Sequence, residues 1–273
     1  MLNMITPFQI IRGLPKVASS SLKCFASSAS DALPSIKLYQ YAICPFCNKT
    51  KALMMYAGLT PEIVEVNPLT KSELKFSPDY RKVPIAIIDN QQINGSDEIM
   101  DALLSNEAIK LALASKWTNM NIDEFRDSKW TTFANDDLAA LLYPNLCRTW
   151  TDSYKAFGYV HSVTNFSTVQ KVLVQWIGSF AMYMAASKIK KKRGIADEVK
   201  ALEEVMTKLE NDGLDAGKKQ FVSGKENPNL GDIAIFGTLR SIQGLPAHEQ
   251  AVTSRDSTVI QEWYDRMSQQ VAK

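Results

Sequence analysis

Cysteine and histidine are scarce in this 273-residue chain, and their scarcity argues against several kinds of protein. The four cysteines stand at positions 24, 44, 47 and 147, and two of them share one C-x-x-C tetrapeptide. A secreted scaffold held together by disulfides is therefore disfavoured, and a reducing compartment is favoured. With a single C-x-x-C and two histidines, the composition does not predict a metal site.

An excess of charge of either sign is also missing. The formal net charge is +2, which is too small to indicate a nucleic-acid partner. The chain is 45% apolar and 22% charged, as in soluble globular proteins, and its length allows one large domain or two smaller ones.

The sequence has no apolar run long enough to predict a membrane span. The strongest candidate is residues 172–187, which carry no charge. They fall short of the ~20 residues that cross a bilayer, so we expect them to form a buried core helix. A solvated basic cluster complements the C-terminal dipole of this helix: Lys188, Lys190, Lys191, Lys192 and Arg193.

Acidic residues are absent from the first thirty positions. The charges there are Arg12, Lys16 and Lys23, and serine and alanine crowd into residues 18–30. This composition predicts a targeting leader over residues 1–34 and a mitochondrial location. A leader with no address is the alternative, and the protein would then lie at the Golgi or another membrane, or in the cytoplasm.

The remainder divides into two regimes, the first of which covers residues 35–106. β-type runs alternate there with helical ones in the order βαβ-α-ββ-α, which predicts an α/β thioredoxin-like domain of the glutaredoxin type. Gly58 is expected to end the first helix. The predicted strands are 36–41, 62–66, 85–88 and 91–93, and the predicted helices are 45–57, 72–76 and 97–104.

From residue 107 to 273 the β signals stop and helical periodicity dominates, which predicts an all-α second domain. The predicted helices are 123–142, 169–190, 196–210, 230–242 and 258–271.

The tetrapeptide Cys44-Pro45-Phe46-Cys47 stands where the first strand gives way to the first helix. Cys44 is expected at the N-cap, with Pro45 at the first helical position, where free N–H groups and the helix dipole lower a thiol's pKa. Cys47, one turn along, is expected to lie behind it and to be less exposed. A C-x-x-C next to a βαβ pattern indicates redox chemistry, and two cysteines that merely pack are the alternative.

Other side chains near this helix offer supporting roles. Tyr41 lies three residues before Cys44, and its phenol is expected to donate to the thiolate or to a substrate oxygen, or simply to pack. Lys49 and Lys51 either add positive potential along the helix or form a solvated face.

Two further motifs predict a peptide-like ligand. Pro84 precedes a strand and restricts Val83 to extended geometry, which leaves the Val83 backbone free to pair with an extended ligand. In the turn Gly95-Ser96-Asp97, Ser96 is expected to cap the next helix, whose N-terminus suits a carboxylate. A surface with a thiol at its middle and an anion site at its end fits glutathione, and an ordinary capped helix is the alternative.

The remaining polar residues receive structural roles. Asn229 and Asp232 approximate a capping box, and Asp232 is expected to be buried. Cys147 is expected to be buried and inert, and neither His161 nor His248 stands in a ligand motif.

Seven motifs together resemble a known family, the type 2, membrane-associated prostaglandin E synthases. The likeness runs from about residue 36 to 265. The motifs are Leu38-Tyr39-Gln40-Tyr41, Cys44-Pro45-Phe46-Cys47, Val64-Glu65-Val66-Asn67-Pro68, Lys75-Phe76-Ser77, Tyr80-Arg81-Lys82-Val83-Pro84-Ile85, Pro144-Asn145-Leu146 and Pro228-Asn229-Leu230 with Asp232.

The resemblance implies a glutaredoxin-type domain followed by an all-α glutathione-transferase-like domain, paired as a homodimer, with peripheral membrane association. It implies an isomerase that converts the endoperoxide prostaglandin H2 to prostaglandin E2. It also implies bound glutathione, and haem held through the glutathione thiolate rather than by a protein histidine.

Carried over by motif, Cys44 is the reactive thiol, with Tyr41 as its neighbouring donor and Cys47 as its partner. Val83 and Pro84 hold the glutathione backbone, and Ser96 holds its γ-glutamyl end. The family commonly carries Asp-Ser where this chain has Gly95-Ser96, so Asp97 is the candidate for the ligand's amine. Phe46 completes the expected contacts.

Two other functions fit the same residues. The intact C-x-x-C and the Gly-Ser-Asp turn are typical of a glutaredoxin-like thiol-disulfide oxidoreductase. A non-enzymatic carrier of glutathione and haem is the other alternative. No side chain stands out in the sequence as the base that an isomerase requires.

Overall fold

The computed structural model describes residues 33–116, 121–126 and 128–272. The predicted leader therefore lies outside the described residues, apart from its last two positions. Its assignment stays a prediction.

A four-stranded mixed sheet forms the first part of the molecule, with strand order β2-β1-β3-β4. β1 runs parallel to β2 and antiparallel to β3, and β3 is antiparallel to β4. The parallel pair is joined through a helix, as the predicted βαβ crossover requires. The strands are β1 (Ile36–Gln40), β2 (Glu62–Glu65), β3 (Ile85–Ile88) and β4 (Gln91–Asn94).

Two helices pack on this sheet. The residues at their ends test the predicted helix caps. Helix α1 (Pro45–Tyr56) begins after the N-cap Cys44, and Gly58 follows it at φ +74°, as predicted. Helix α2 (Ser96–Ser105) has Gly95 as its N-cap, at φ +94°. The expectation that Ser96 caps this helix is therefore wrong, because Ser96 already occupies the first helical position. A single 3₁₀ turn covers Ser72–Leu74.

The rest of the described chain is helical, as predicted. The helices are α3 (Glu107–Ala114), α4 (Ile122–Phe125), α5 (Ser128–Thr132), α6 (Ala139–Leu146), α7 (Trp150–Ala156), α8 (Thr168–Leu173), α9 (Ser179–Arg193), α10 (Glu198–Lys208), α11 (Leu230–Arg240), α12 (Pro246–His248) and α13 (Val259–Ala272). Short π-helical segments join α5 to α6 and α8 to α9.

One hydrophobic core joins the sheet to the helices. It contains Leu38 of β1, Leu53 of α1, Phe236 of α11 and Trp263 of α13, all essentially inaccessible to solvent. Helices α1 and α11 approach closely at Gly237, where an added Cβ would stand 2.4 Å from the Lys49 Cα. Residues 32–273 accordingly form one compact unit. The predicted domain boundary at 106/107 falls between α2 and α3 and stays a prediction.

The expectation of a buried core helix over residues 172–187 is wrong. By length and composition, the continuous helix Thr168–Arg193 is long and apolar enough to cross a membrane. Only 28% of its most apolar stretch is buried. Its inner face contacts the protein through Val174 and Ala186, whereas its outer face exposes large side chains: Val169, Val172, Leu173, Trp176, Ile177, Phe180 and Met184.

Asp232 has the structural role that the sequence predicts. Its carboxylate is fully buried and accepts hydrogen bonds from the backbone N–H groups of Val222 and Asn229 and from the Trp263 indole. Burial nonetheless raises its pKa to about 6. The carboxylate ties α11 to α13 and to the loop before α11.

Candidate active site

Buried side chains fix the turn that presents Cys44. The Cys44 N–H donates to the Tyr41 carbonyl at 3.0 Å. The Asn48 amide donates to the carbonyls of Ala42 and Cys44, at 2.6 and 2.9 Å. From the opposite side, the Glu65 carboxylate accepts the Ala42 N–H at 2.8 Å. The turn is therefore held from both sides before the helix begins.

The two cysteines of the tetrapeptide differ in acidity. A hydrogen bond from the Cys47 thiol, together with the backbone N–H groups of Cys47 and Phe46, lowers the pKa of Cys44 to about 7, although burial opposes the shift. Burial raises the pKa of Cys47 well above its ordinary value, and the neighbouring Cys44 adds to the rise. Cys44 is therefore the thiol of the pair that ionises first, and Cys47 is the one that keeps its proton.

The phenol that hydrogen bonds to Cys44 belongs to Tyr143 of α6, which the sequence reasoning did not assign to the site. This bond helps to lower the pKa of Cys44, whereas burial and the adjacent sulfur raise the pKa of Tyr143 well above its ordinary value. Tyr41, the expected donor, lies near the same sulfur, and burial raises its pKa to about 12. Tyr143 directly precedes the motif Pro144-Asn145-Leu146, which was the one signal for it in the sequence.

An apolar cavity of about 290 Å³ opens onto Cys44, and we call it the thiol cavity. The turn before α1 contributes Tyr41 and Cys44 to its wall, and the helical part of the chain contributes most of the remainder. Its helical lining includes Tyr143, Cys147, Phe157, Tyr159 and Met182. Cys44 itself is only 4% exposed, so the cavity is its route to small molecules.

A second, more polar cavity of about 370 Å³ brings together the five residues predicted to bind glutathione, and we call it the cradle. The peptide bond between Val83 and Pro84 is cis, as expected for a thioredoxin-like fold. No hydrogen bond joins the Val83 amide or carbonyl to another described residue. The predicted residues in its lining are Phe46, Val83, Pro84, Ser96 and Asp97.

Asp97 lines the cradle, and it forms an ion pair that the sequence did not predict. Its carboxylate accepts a 2.5 Å hydrogen bond from the Lys49 ammonium, which also bonds to Asn135. Lys49 is 1% exposed, so its interpretation as part of a solvated face is wrong. Burial lowers the pKa of Lys49, although Asp97 favours the charged form.

A third cavity lies between these two and is lined by Phe46, Asn135, Tyr143, Arg193 and their neighbours. It shares Tyr143 with the thiol cavity, and it shares Phe46, Asn135 and Arg193 with the cradle. The three cavities thus follow one another around the first turn of α1.

The remaining candidates lie as the sequence predicts. Cys147 is buried, and its sulfur accepts a hydrogen bond from the Ser153 hydroxyl at 3.4 Å. Burial raises the pKa of this thiol. His161 pairs with Gln175 at 2.7 Å, and His248 packs edge-on against Tyr264. Among the residues described as lining the three cavities, there is no histidine.

Solved structures share this architecture. A glutathione S-transferase of Sinorhizobium meliloti superposes with a TM-score of 0.54 at 15% identity, covering 86% of this chain and 88% of that one. Human glutathione transferase theta-2, solved in complex with glutathione and an unknown ligand, gives a TM-score of 0.54 at 13% identity, with 87% and 82% covered. The family model for the N-terminal domain of glutathione S-transferases matches residues 38–110. The fold is therefore thioredoxin-like and glutathione-transferase-like.

Curated relatives narrow the assignment. Glutaredoxin 1 of Rickettsia conorii is 36% identical over 73 residues, which are 25% of this chain and 72% of that protein. Prostaglandin E synthase 2 of Mus musculus is 30% identical over 86% of this chain and 70% of its own length. Prostaglandin E synthase 2 of Danio rerio is 33% identical over 88% of this chain and 73% of its own length. The chain therefore belongs to the prostaglandin E synthase 2 family.

Proposed function

We propose that this protein binds glutathione in the cradle and isomerises a prostaglandin endoperoxide, prostaglandin H2, to prostaglandin E2 in the thiol cavity. The observation that carries the proposal is the position of Cys44, whose pKa is lowered to about 7 and whose sulfur borders an apolar cavity. A lipid endoperoxide is an apolar molecule with a weak O–O bond, and a thiolate is a suitable nucleophile for it.

The cradle has the chemistry that glutathione requires. The unpartnered Val83 amide and carbonyl suit the backbone of an extended tripeptide. The first N–H groups of α2 suit the carboxylate of its γ-glutamyl end, and the Asp97 and Glu98 carboxylates at the same helix end suit its ammonium. Glutathione held there supplies a second thiol next to the α1 N-terminus.

The isomerisation follows from these groups without a net change in oxidation state. The Cys44 thiolate attacks one endoperoxide oxygen, an S–O bond forms and the O–O bond breaks. The departing oxygen takes a proton. Loss of the carbon-bound proton next to the S–O bond then forms the ketone and releases the thiolate. The apolar wall of the thiol cavity holds the hydrocarbon part of the substrate.

A glutaredoxin-like reduction of glutathione mixed disulfides is the second candidate. It is favoured by the hydrogen-bonded Cys44 and Cys47 pair, whose pKa values are shifted in opposite directions. Such a pair provides an attacking thiolate and a resolving thiol. The 73-residue likeness to glutaredoxin 1 supports the same candidate.

Non-enzymatic carriage of haem with glutathione is the third candidate, and it rests on the family resemblance. Neither histidine lines a described cavity next to Cys44, so the described side chains provide no imidazole for the iron there. A Soret band that requires glutathione, without turnover of either substrate, would favour this candidate.

One set of samples separates the candidates. Wild type, Cys44→Ser and Cys47→Ser are assayed with prostaglandin H2 in the presence of glutathione, and with a glutathione mixed disulfide. For the isomerase we expect prostaglandin E2 from wild type and a loss of at least about 100-fold in Cys44→Ser. Disulfide reduction that tolerates Cys47→Ser, without prostaglandin E2, would replace the proposal by the second candidate.

Glutathione binding is tested separately at Gly95. Gly95 has φ +94° and ψ +152°, a backbone conformation that L residues rarely adopt, so Gly95→Ala should reshape this end of the cradle and weaken glutathione binding by about tenfold or more, as measured by calorimetry. Gly58→Ala is the matched control, because Gly58 also has positive φ but does not line the cradle. Equal weakening in both variants would contradict glutathione binding in the cradle.

We also propose a mitochondrial location, a homodimer and peripheral membrane association. The leader composition supports the location, and the exposed apolar face of Thr168–Arg193 is compatible with either kind of association. Imaging of the full chain, with and without its first 34 residues, tests the location.

A further inference from the structure

The proposed isomerisation needs one group to give a proton to an oxygen and one group to take a proton from carbon. The titratable side chains that line the thiol cavity are Tyr41, Cys44, Lys71, Tyr143, Cys147 and Tyr159. Within this described lining there is neither a carboxylate nor an imidazole. Among the described side chains of this lining, the candidates for the base are therefore phenols, an amine and a second thiol.

Three of these groups are hydrogen-bonded to residues other than Cys44. The Tyr159 hydroxyl hydrogen bonds to the buried Glu65 carboxylate. The Lys71 ammonium donates to the Arg81 carbonyl at 2.9 Å. The buried Cys147 sulfur accepts from Ser153. Apart from the attacking Cys44, this leaves Tyr41 and Tyr143.

Tyr143 is the better placed of the two. It lies on α6 beside Cys44, hydrogen bonds to that thiol, and lines both the thiol cavity and the neighbouring cavity. An endoperoxide oxygen bound to the Cys44 sulfur would therefore meet the Tyr143 hydroxyl.

We propose that Tyr143 acts first as the acid and then as the base of the isomerisation, an assignment that rests on the proposed function. As the O–O bond breaks, the departing alkoxide takes the Tyr143 proton and leaves a phenolate. The phenolate then removes the hydrogen of the carbon attached to the S–O oxygen. The C–H electron pair forms the C=O bond, the O–S bond breaks, and Cys44 returns as thiolate while Tyr143 returns as phenol.

The surroundings of Tyr143 suit this sequence. An alkoxide is a stronger base than a phenolate, so the first transfer runs downhill. Burial raises the pKa of Tyr143 and still does so once the Cys44 sulfur is bonded to oxygen, which makes its phenolate a stronger base for the second transfer. Tyr143 thus gives a proton to the departing oxygen and takes one from carbon, so the reaction requires no second acid or base.

The test compares Tyr143→Phe with Tyr183→Phe on prostaglandin H2. Tyr183 lies on α9 and lines none of the three described cavities, so its variant is the matched control. We expect turnover to fall by about 100-fold or more in Tyr143→Phe and to stay within about twofold of wild type in Tyr183→Phe. Glutathione binding should survive in both variants.

A second measurement separates proton transfer from positioning. Replacement of Tyr143 by 3-fluorotyrosine keeps the hydroxyl and its geometry but weakens the phenolate as a base. With a substrate deuterated at the carbon that becomes the ketone, we expect slower turnover and a larger isotope effect than in wild type.

Three outcomes would overturn the assignment. If wild type makes prostaglandin E2 and Tyr143→Phe is as fast as Tyr183→Phe, Tyr143 is neither acid nor base, while the proposed function stands. If wild type leaves prostaglandin H2 intact, the proposed function and this assignment both fail. An unchanged isotope effect in the fluorotyrosine protein would also contradict the role of Tyr143 as base.

Discussion

At the scale of single residues, the acidity of Cys44 depends chiefly on one neighbour. The Cys47 thiol donates the hydrogen bond that contributes most to lowering the Cys44 pKa. Alkylation of Cys44 by a small reagent should therefore increase as the pH rises through about 7, because the thiolate is the reacting form.

Cys47→Ala should move this midpoint upward, toward the ordinary thiol value, and slow alkylation at neutral pH. The thiolate fraction there falls by up to about tenfold for each unit of pKa. Cys47→Ser keeps a donor and should cause a smaller shift. The measurement is the alkylation rate of Cys44 against pH, and an unchanged midpoint in Cys47→Ala would show that the pair does not set the acidity.

The sequence identified the residues of the site that lie close together along the chain. Cys44 as N-cap and Pro45 at the first helical position follow from local geometry, which the residue types largely determine, whereas the cis isomer of Pro84 comes from the structure alone. Tyr143 could not be assigned in this way. It meets Cys44 only because α6 packs beside α1, and no local pattern encodes such a tertiary contact.

At the scale of elements, the crossing of α1 and α11 sets the position of the active-site helix. An added Cβ at Gly237 would stand 2.4 Å from the Lys49 Cα and 2.7 Å from the Asn48 carbonyl oxygen. These are backbone atoms of α1, so neither can move without the helix. The absence of a side chain at Gly237 therefore lets α11 pack directly against the first turns of α1, where Asn48 and Lys49 lie.

Gly237→Ala should lower the free energy of unfolding by about 1–3 kcal/mol, because α1 and α11 must move apart. Gly158→Ala serves as the control, since its nearest atom, the Gln175 Nε2, lies 3.8 Å away in ordinary contact. Urea unfolding of both variants measures the difference. Equal stability of the two would contradict the close crossing.

Periodicity predicted the elements better than it predicted their surroundings. The strands and α1 lie within one or two residues of the predicted bounds, since alternation and capping are local signals. Residues 172–187 are uncharged and too few to cross a bilayer, which predicts a buried helix, yet Trp176 and Phe180 are 54% and 58% exposed. Composition indicates that a face is apolar, but it does not reveal what covers that face.

At the scale of the whole molecule, one core spans the sheet and the helices, so the two parts should unfold together. All five tryptophans lie after residue 107, whereas Cys47 lies on α1 and is inaccessible to solvent. Tryptophan fluorescence therefore reports on the helical part, and alkylation of Cys47 reports on the sheet part.

The two probes should give the same midpoint in urea, with Cys47 labelling located by mass spectrometry of its peptide. Labelling of Cys47 well before the fluorescence change would show that the sheet part opens alone. In that case the shared core would not couple the two parts.

The depth of Cys44 has a consequence for the molecules that this protein can serve. Because Cys44 is only 4% exposed, access to its thiol selects molecules by size. A slender lipid or a small disulfide reaches Cys44 through the thiol cavity, whereas a disulfide fixed on the surface of a folded protein meets almost none of the Cys44 surface. Whichever reaction the Cys44 thiolate performs, its substrates are small molecules. Bulky thiol reagents should therefore leave Cys44 unmodified.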